Sequence, residues 1–317
     1  MLVRRYRIIV QHLSFVILMY GGRFGIQLGP AVPCFACPYV SGCGGQCYLM
    51  GLQGYIGFGL TLNELMGYQG LRALAYFLLF AFLVVMLGKL WCGFVCPFGL
   101  FQDWITWLRR KLGFPEGKFS PETLKALGPI KYILLGWLMV GPVLINLGLL
   151  HSDFYLPFCS ICPGKPILPL FALETQYFAI DSTNTATLVI TTLSVLIAGG
   201  TLAGIFARPR FFCTFCPLLA LIHLFKPITL PHLLKDPALC HGCGTCQRGC
   251  PMDVRKIFKD GGDPDVQVSD CINCGECLGS CAAGGALCYK YAGKTLLASS
   301  PGLALGKGKA HRHGGIR

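Results

Sequence analysis

Apolar residues gather into four long runs, Ile8 to Leu28, Ala73 to Leu90, Tyr132 to Leu150 and Thr187 to Phe206, separated by more polar stretches. A hydrocarbon layer of roughly 30 Å takes about 20 helical residues to cross. The pattern therefore predicts four membrane-spanning helices. Between them, Tyr48 to Gly70 and Ile167 to Asn184 are amphipathic or broken by glycine and predict segments lying along the interface. The first run follows Arg4, Arg5 and Arg7 as a signal peptide would, but no small-residue cleavage site follows it and Cys34 lacks a lipobox-like context, so it is expected to remain a span.

Composition agrees with lipid. Of 317 residues 54% are hydrophobic and 13% charged, too little charge to cover a globular surface. The formal net charge of +13 does not point to nucleic acid, because the basic residues flank apolar runs instead of forming a stripe with interleaved aromatics. Their placement orients the helices instead. Arg4, Arg5, Arg7, Lys89, Arg109, Arg110, Lys111, Lys118, Lys125, Lys131, Arg208 and Arg210 fall on one side, and Arg23, Arg72 and Lys165 on the other. Positive charge is retained inside, so both chain ends are expected in the cytoplasm of a bacterial or archaeal cell, with the bundle in its inner membrane.

Nineteen cysteines add chemistry to this frame. Small disulfide-rich secreted domains do not carry several apolar runs of about 20 residues, so metal is the better reading. Four pairs end in proline: Cys34-Phe-Ala-Cys37-Pro38, Cys92-Gly-Phe-Val-Cys96-Pro97, Cys159-Ser-Ile-Cys162-Pro163 and Cys213-Thr-Phe-Cys216-Pro217. They make the membrane part read as two copies of one unit, about 8–112 and about 127–228. A cluster needs its four thiolates close together, so pairs on the same membrane side must combine. That grouping predicts an inner cluster on Cys92, Cys96, Cys213 and Cys216 and an outer one on Cys34, Cys37, Cys159 and Cys162. Proline after each second cysteine ends the preceding conformation, and amides near Gly93 and Gly99 can point at sulfur. The outer thiols have disulfides as an alternative, the inner ones, in reducing cytosol, do not. Cys43 and Cys47 have three readings: a self-contained site with Cys34 and Cys37, a disulfide, or a further metal centre.

After the last run come Cys240-x2-Cys243-x2-Cys246-x3-Cys250-Pro251 and Cys271-x2-Cys274-x2-Cys277-x3-Cys281. In two-cluster bacterial ferredoxins the fourth cysteine of each run serves the other cluster. One [4Fe-4S] cluster is thus expected on Cys240, Cys243, Cys246 and Cys281, the second on Cys271, Cys274, Cys277 and Cys250. Zinc calls for no third and fourth cysteine repeated in this way. Ala282 stands where proline often follows the fourth cysteine, and Cys288 reads as a semi-buried spare thiol. The expected fold class is thus an all-α membrane bundle of four helices with an internal two-fold repeat, residues 1–228, followed by a small α+β ferredoxin domain, 229–290, and a basic flexible tail, 291–317, with Lys307, Lys309, His311, Arg312 and His313.

Membrane helices, repeated Cys-Pro pairs and a terminal two-cluster motif together resemble the NapH, NosR and CcoG group of polyferredoxin membrane proteins, NapH-type subunits most in layout. The likeness runs from about Ile8 to Tyr289. It implies that Cys92, Cys96, Cys213, Cys216 and the eight ferredoxin cysteines are cluster ligands on the cytoplasmic side, and that quinol electrons pass toward periplasmic reductases. The chain departs from the group in three pairs with two intervening residues, in having no extra flavin domain, and in Cys34, Cys37, Cys43 and Cys47, which match no family motif.

The reading that follows is an electron-transfer subunit of a membrane oxidoreductase complex, with a cytoplasmic donor or acceptor and a periplasmic redox protein as partners, more than a stand-alone enzyme. A quinol-oxidising subunit is the alternative, with His12, Glu64, Asp103, His151 and Asp153 as candidate proton carriers and quinone as an added cofactor. Ordinary interfacial polarity is the plainer account of those residues. A metal-reducing or assembly factor using Cys43 and Cys47 is the third. No phosphate-binding loop, haem motif or nucleophile elbow is present in the sequence, and no catalytic residue is expected.

Overall fold

The structure is a computed structural model describing residues 2–29, 32–58, 67–117, 119–150, 157–259 and 264–300. Its principal helices are α1 (Leu2–Tyr20), α2 (Tyr48–Phe58), α3 (Tyr68–Leu87), α4 (Pro97–Lys111), α5 (Ile130–Asn146), α6 (Thr185–Ala207) and α7 (Pro217–Leu224).

Among the described residues three helices are long and apolar enough to cross a membrane: α3, α6, and α5 taken with the turn before it from Glu122. Their outer faces show why lipid suits them. Leu78 is 57% exposed, Ile133 68% and Leu196 65%, an apolar surface that water would penalise. Inward, α6 buries Ser194, Ala198, Thr201 and Ile205, one stripe at helical spacing. Its start is fixed by a capping box, in which the Asn184 side chain accepts from the Thr187 amide at 2.8 Å.

The fourth expected span falls on α1, and here sequence and structure differ. The helix begins six residues before the apolar run and ends at Tyr20, where a tight turn at Gly21–Phe24 takes over. Glycine is needed there: a Cβ on Gly22 would stand 2.7 Å from the Cys43 carbonyl oxygen. One face of α1 carries Arg7, Gln11, Phe15 and Leu18, all buried. Three arginines near its start set α1 apart from the other long helices. The helix α2, read from sequence as interfacial, buries Tyr48 and Leu49 against the bundle, with the Tyr48 ring stacked 3.6 Å from that of Phe80. Glu64, His151 and Asp153 lie outside the described residues.

The C-terminal module is a three-stranded antiparallel sheet, β1 (Pro231–Lys235), β2 (Leu287–Tyr291) and β3 (Lys294–Ala298), in that order. Both cysteine runs lie between β1 and β2. The last strand occupies the start of the stretch read from sequence as a tail, because Ala292 and Gly293, both at positive φ, make the two-residue turn that returns β2 on itself. Residues 301–317 lie outside the described residues.

Basic residues at one end of the bundle hold this module. Lys89, just past α3, donates to the carbonyls of Val268 at 2.6 Å and Ser269 at 3.2 Å. Lys131, in the first turn of α5, is fully buried and pairs with Asp270 at 2.5 Å. Arg208, just past α6, donates to the Met252 carbonyl at 3.1 Å, and Arg7 pairs with Glu276 at 2.8 Å.

Candidate iron-sulfur centres

In the C-terminal module each cysteine run curls because residues on both sides of its second cysteine adopt left-handed backbone: Gly242 and Gly244 around Cys243, Asn273 and Gly275 around Cys274. The curl turns Cys240, Cys243 and Cys246 toward one cavity, and Cys281 from the other run completes its thiols. Cys250 is an electrostatic neighbour of Cys274 and Cys271, and Cys277 of all three. Cys281 of the second run thus stands with Cys240, Cys243 and Cys246, and Cys250 of the first run stands near Cys271, Cys274 and Cys277. Burial, then the nearby Cys274, pushes the Cys250 thiol up to about 12; burial lifts Cys271 to about 11. Crowded, buried thiols of this kind stay protonated until a metal displaces the proton.

The inner cavity of the membrane part is lined by Cys92, Cys96, Cys213 and Cys216. Cys96 and Cys216 each cap a helix whose first residue is proline, α4 and α7, so free amides at the helix start turn toward sulfur. The Gly99 amide does so for Cys96, and those of Leu218 and Leu219 for Cys216. Gly93 has a different task from the one read in the sequence. Its carbonyl accepts from Arg7 and Gln11, and a Cβ there would stand 2.6 Å from the Ile272 carbonyl oxygen. Gln102 donates to the Cys213 sulfur at 3.6 Å.

Beside this cavity lies a buried ion network. Asp103 accepts from Arg7 at 2.7 Å and from Arg210 at 2.8 and 2.5 Å, and Arg210 also donates to the Cys92 carbonyl. Burial alone would raise the Asp103 carboxyl; Arg210 and Arg7 outweigh it and hold the group below the usual carboxylate range. Reading Asp103 as ordinary interfacial polarity therefore needs correcting: it is the carboxylate of the buried Arg210 guanidinium and shares the Arg7 guanidinium with Glu276. Nothing local in the sequence marks this, since Arg7 and Arg210 are 96 and 107 residues away. His12, by contrast, is exposed, its Nδ1 within 2.7 Å of the Ile8 carbonyl and its Nε2 accepting from Trp104.

The expected outer quartet is divided. Cys37, Cys159 and Cys162 line a second cavity, but Cys34 lines the inner one, and the fourth thiol of the outer cavity is Cys47. The reason is that the Cys34–Cys37 segment passes between the two hollows, with Phe35 lining both. Cys43 lines neither cavity; it is half-buried. Cys43-x3-Cys47 repeats the spacing of Cys92-x3-Cys96. Among the described residues no three His, Cys, Asp or Glu side chains close on a point as a single ion requires.

Such an assembly, buried thiols around hollows beside apolar helices, defines a membrane iron-sulfur protein. Comparison with known proteins agrees. A 4Fe-4S binding domain family matches residues 69–115 and 190–229, which include Cys92, Cys96, Cys213 and Cys216. A 4Fe-4S dicluster domain family matches 232–282, which include the eight cysteines of the module. The chain is 28% identical over 215 residues to the uncharacterised protein MJ0750 of Methanocaldococcus jannaschii, a match covering 67% of this chain and 76% of that one. It is 26% identical over 226 residues to the putative electron transport protein YccM of Escherichia coli, covering 69% and 56%. It is 30% identical over 207 residues to the ferredoxin-type protein NapH of Haemophilus influenzae, covering 63% and 62%. No solved structure matches. The chain thus carries 4Fe-4S binding domains and is similar to ferredoxin-type and electron-transport proteins of the NapH and NosR kind.

Proposed function

We propose that this chain is a multi-pass electron-transfer subunit, carrying electrons between clusters in its C-terminal module, clusters in its membrane part and a redox partner at the far face. Four spans, α1 included, and a two-fold repeat complete the reading, with the module in the cytoplasm. The lysines and arginines at the ends of α3, α5 and α6 support that orientation, because the charges that favour the inside are the ones that bind the module.

The observation that carries the proposal is the shared wall between the two parts. Ile272, between the module's ligand candidates Cys271 and Cys274, lines the inner cavity, and Gly93 from the Cys92–Cys96 turn lies against Cys274. The chain thus spaces and insulates its sites. Cys240, Cys243, Cys246 and Cys281, then Cys250, Cys271, Cys274 and Cys277, then Cys92, Cys96, Cys213 and Cys216 would each hold a [4Fe-4S] cluster, which supplies one-electron transfer when bound. Arg210 and Lys89 place positive charge beside these thiols, and Gln102 donates to one of them, features that favour an added electron. With Asp103 committed to two arginines, a conduit is better supported than a quinol site using that carboxylate.

The test is reconstitution of the full chain in sealed, quinone-free vesicles. Reductant on the module's side should reduce a membrane-impermeant acceptor on the other, and Cys213→Ala should abolish this. Transfer that begins only after quinone is added would sink the conduit in favour of a quinone-reactive subunit.

A further inference from the structure

The 4Fe-4S family matches take in the inner cavity and the module but stop short of Cys37, Cys47, Cys159 and Cys162. We propose that these four cysteines form a second iron-sulfur site in the membrane part, built to the same plan as the inner one, with Gln53 as a donor to a ligand sulfur. The inference rests on the conduit reading and names its outer terminus.

The plan can be followed residue by residue. At the inner site Cys96 stands just before helix α4, and Gln102, six residues on, donates to the Phe98 carbonyl at 3.3 Å and to the Cys213 sulfur at 3.6 Å. At the outer site Cys47 stands just before helix α2, and Gln53, again six residues on, donates to the Leu49 carbonyl at 3.3 Å and to the Cys159 sulfur at 3.7 Å. Each acceptor sulfur is the first of a Cys-x2-Cys-Pro pair, Cys213–Cys216 and Cys159–Cys162. Each carbonyl lies one turn before its glutamine. Gln53 and Gln102 are both buried, so each amide is aimed by the fold, not by solvent.

The sulfur chemistry also matches. Amides of Leu49 and Met50 turn toward Cys47, and that of Gly164 toward Cys162, as those of Gly99 and Leu219 do for Cys96 and Cys216. Hydrogen bonds of this sort stabilise thiolates around an anionic cluster. The cavity excludes charge save for Lys165, whose ammonium sits 5.3 Å from the Tyr39 ring and interacts with the Cys37 and Cys159 sulfurs. Four thiols from three stretches of chain around one hollow are the donor set of a [4Fe-4S] cubane. The two sites differ in one ligand: where the inner cavity uses both ends of Cys92-x3-Cys96, the outer uses only Cys47 of Cys43-x3-Cys47 and takes Cys37 instead. Cys34 and Cys37 thus place one thiol at each cavity, with Phe35 between, which makes that segment the link joining the two sites.

The experiment is an iron and acid-labile sulfide count on the full chain purified without oxygen, with spectroscopy of each reduced centre. Cys47→Ala and Cys159→Ala should each lose about four iron atoms per chain. The double variant should lose no more than either alone, and Cys43→Ala and Cys34→Ala should keep the outer centre's signal. A full count in Cys47→Ala, or loss of the outer centre's signal in Cys43→Ala or Cys34→Ala instead, overturns the assignment. Cys213→Ala separates the two readings: if it loses iron while Cys47→Ala does not, the outer site alone fails; if neither loses iron, the conduit fails with it. Gln53→Leu guards against misfolding. It should keep the full iron count and lower the midpoint potential of one centre, and Gln102→Leu should lower that of a different one. If both shift the same centre, or Gln53→Leu shifts none, the outer site is refuted.

Discussion

The two cysteine cavities of the membrane part are alike in their sulfur-facing groups and unlike in what lies behind them. Behind the inner one stand Arg7, Asp103 and Arg210, with Lys89 on the module's side. Around the outer one stand Tyr39, Phe158 and a single cation, Lys165. The thiols say where iron would sit; the surroundings say what else the place must do. At the inner end they fix the C-terminal module as well, since Arg7 joins Asp103 to Glu276 and so ties α1, α4 and the module together. Disturbing the inner surroundings should therefore change both a centre and a docking contact, whereas the outer site should respond alone.

Asp103→Asn puts the greatest strain on that contrast. It leaves the buried Arg210 guanidinium without its carboxylate, while Arg7 keeps Glu276, and breaking a buried pair by removing one partner typically costs about 3–5 kcal/mol. The expected outcome is a large fall in the unfolding midpoint in mild detergent, a module newly open to protease between Ile228 and β1, and an outer centre with unchanged spectrum. An equal loss at both centres would mean that the two cavities share one electrostatic unit.

How visible this was in the sequence depended on how far each contact reaches. The module's ligand groups follow from spacings of two and three residues, because left-handed turns at Gly242, Gly244, Asn273 and Gly275 wrap each run locally. Three apolar spans were equally plain, because their outer faces need only hydrophobicity. Cys34 and Cys37 looked like one ligand pair, but a segment passing between two hollows sends neighbouring side chains to different sites, which no local spacing records. Asp103 was harder still, its partners lying in α1 and beyond α6. Gln53 and Gln102 stand at equal offsets from Cys47 and Cys96, but local spacing does not record that their amides reach sulfur, because Cys159 and Cys213 lie 106 and 111 residues away.

Gly93→Ala sharpens the comparison with a smaller effect. The added carbon would stand 2.6 Å from the Ile272 carbonyl oxygen and 3.1 Å from the Cys274 Cα, both backbone and neither free to swing aside. Overpacking of this kind costs about 1–3 kcal/mol, and here it pushes the module off the inner cavity without touching a thiol. Full iron content with slower transfer between module and bundle is expected. An unchanged rate would show that the close wall at Ile272 does not set the spacing.

Acid should separate the two ends most gently, through His223 on α7. Burial, then Lys89, Lys226 and Lys131, lowers its pKa to about 4, with Asp270 opposing. The unfolded chain, with histidine near about 6.5, binds this proton first as pH falls, so the folded state loses stability between about pH 6.5 and 4, with no further loss below that window and none above it. His223→Gln should flatten the fall there and leave stability at pH 7.5 unchanged. The effect is modest because His223 is only half-buried, so water screens its charge. Two of those lysines also hold the module through Val268, Ser269 and Asp270, so mild acid should release the module before it disturbs the outer centre. Hydrogen exchange at pH 5 measures this directly: protection lost first in β1 and β2 in the wild type, and retained there in His223→Gln, places the acid response at the inner end, whereas equal loss in α2 would place it in the bundle as a whole.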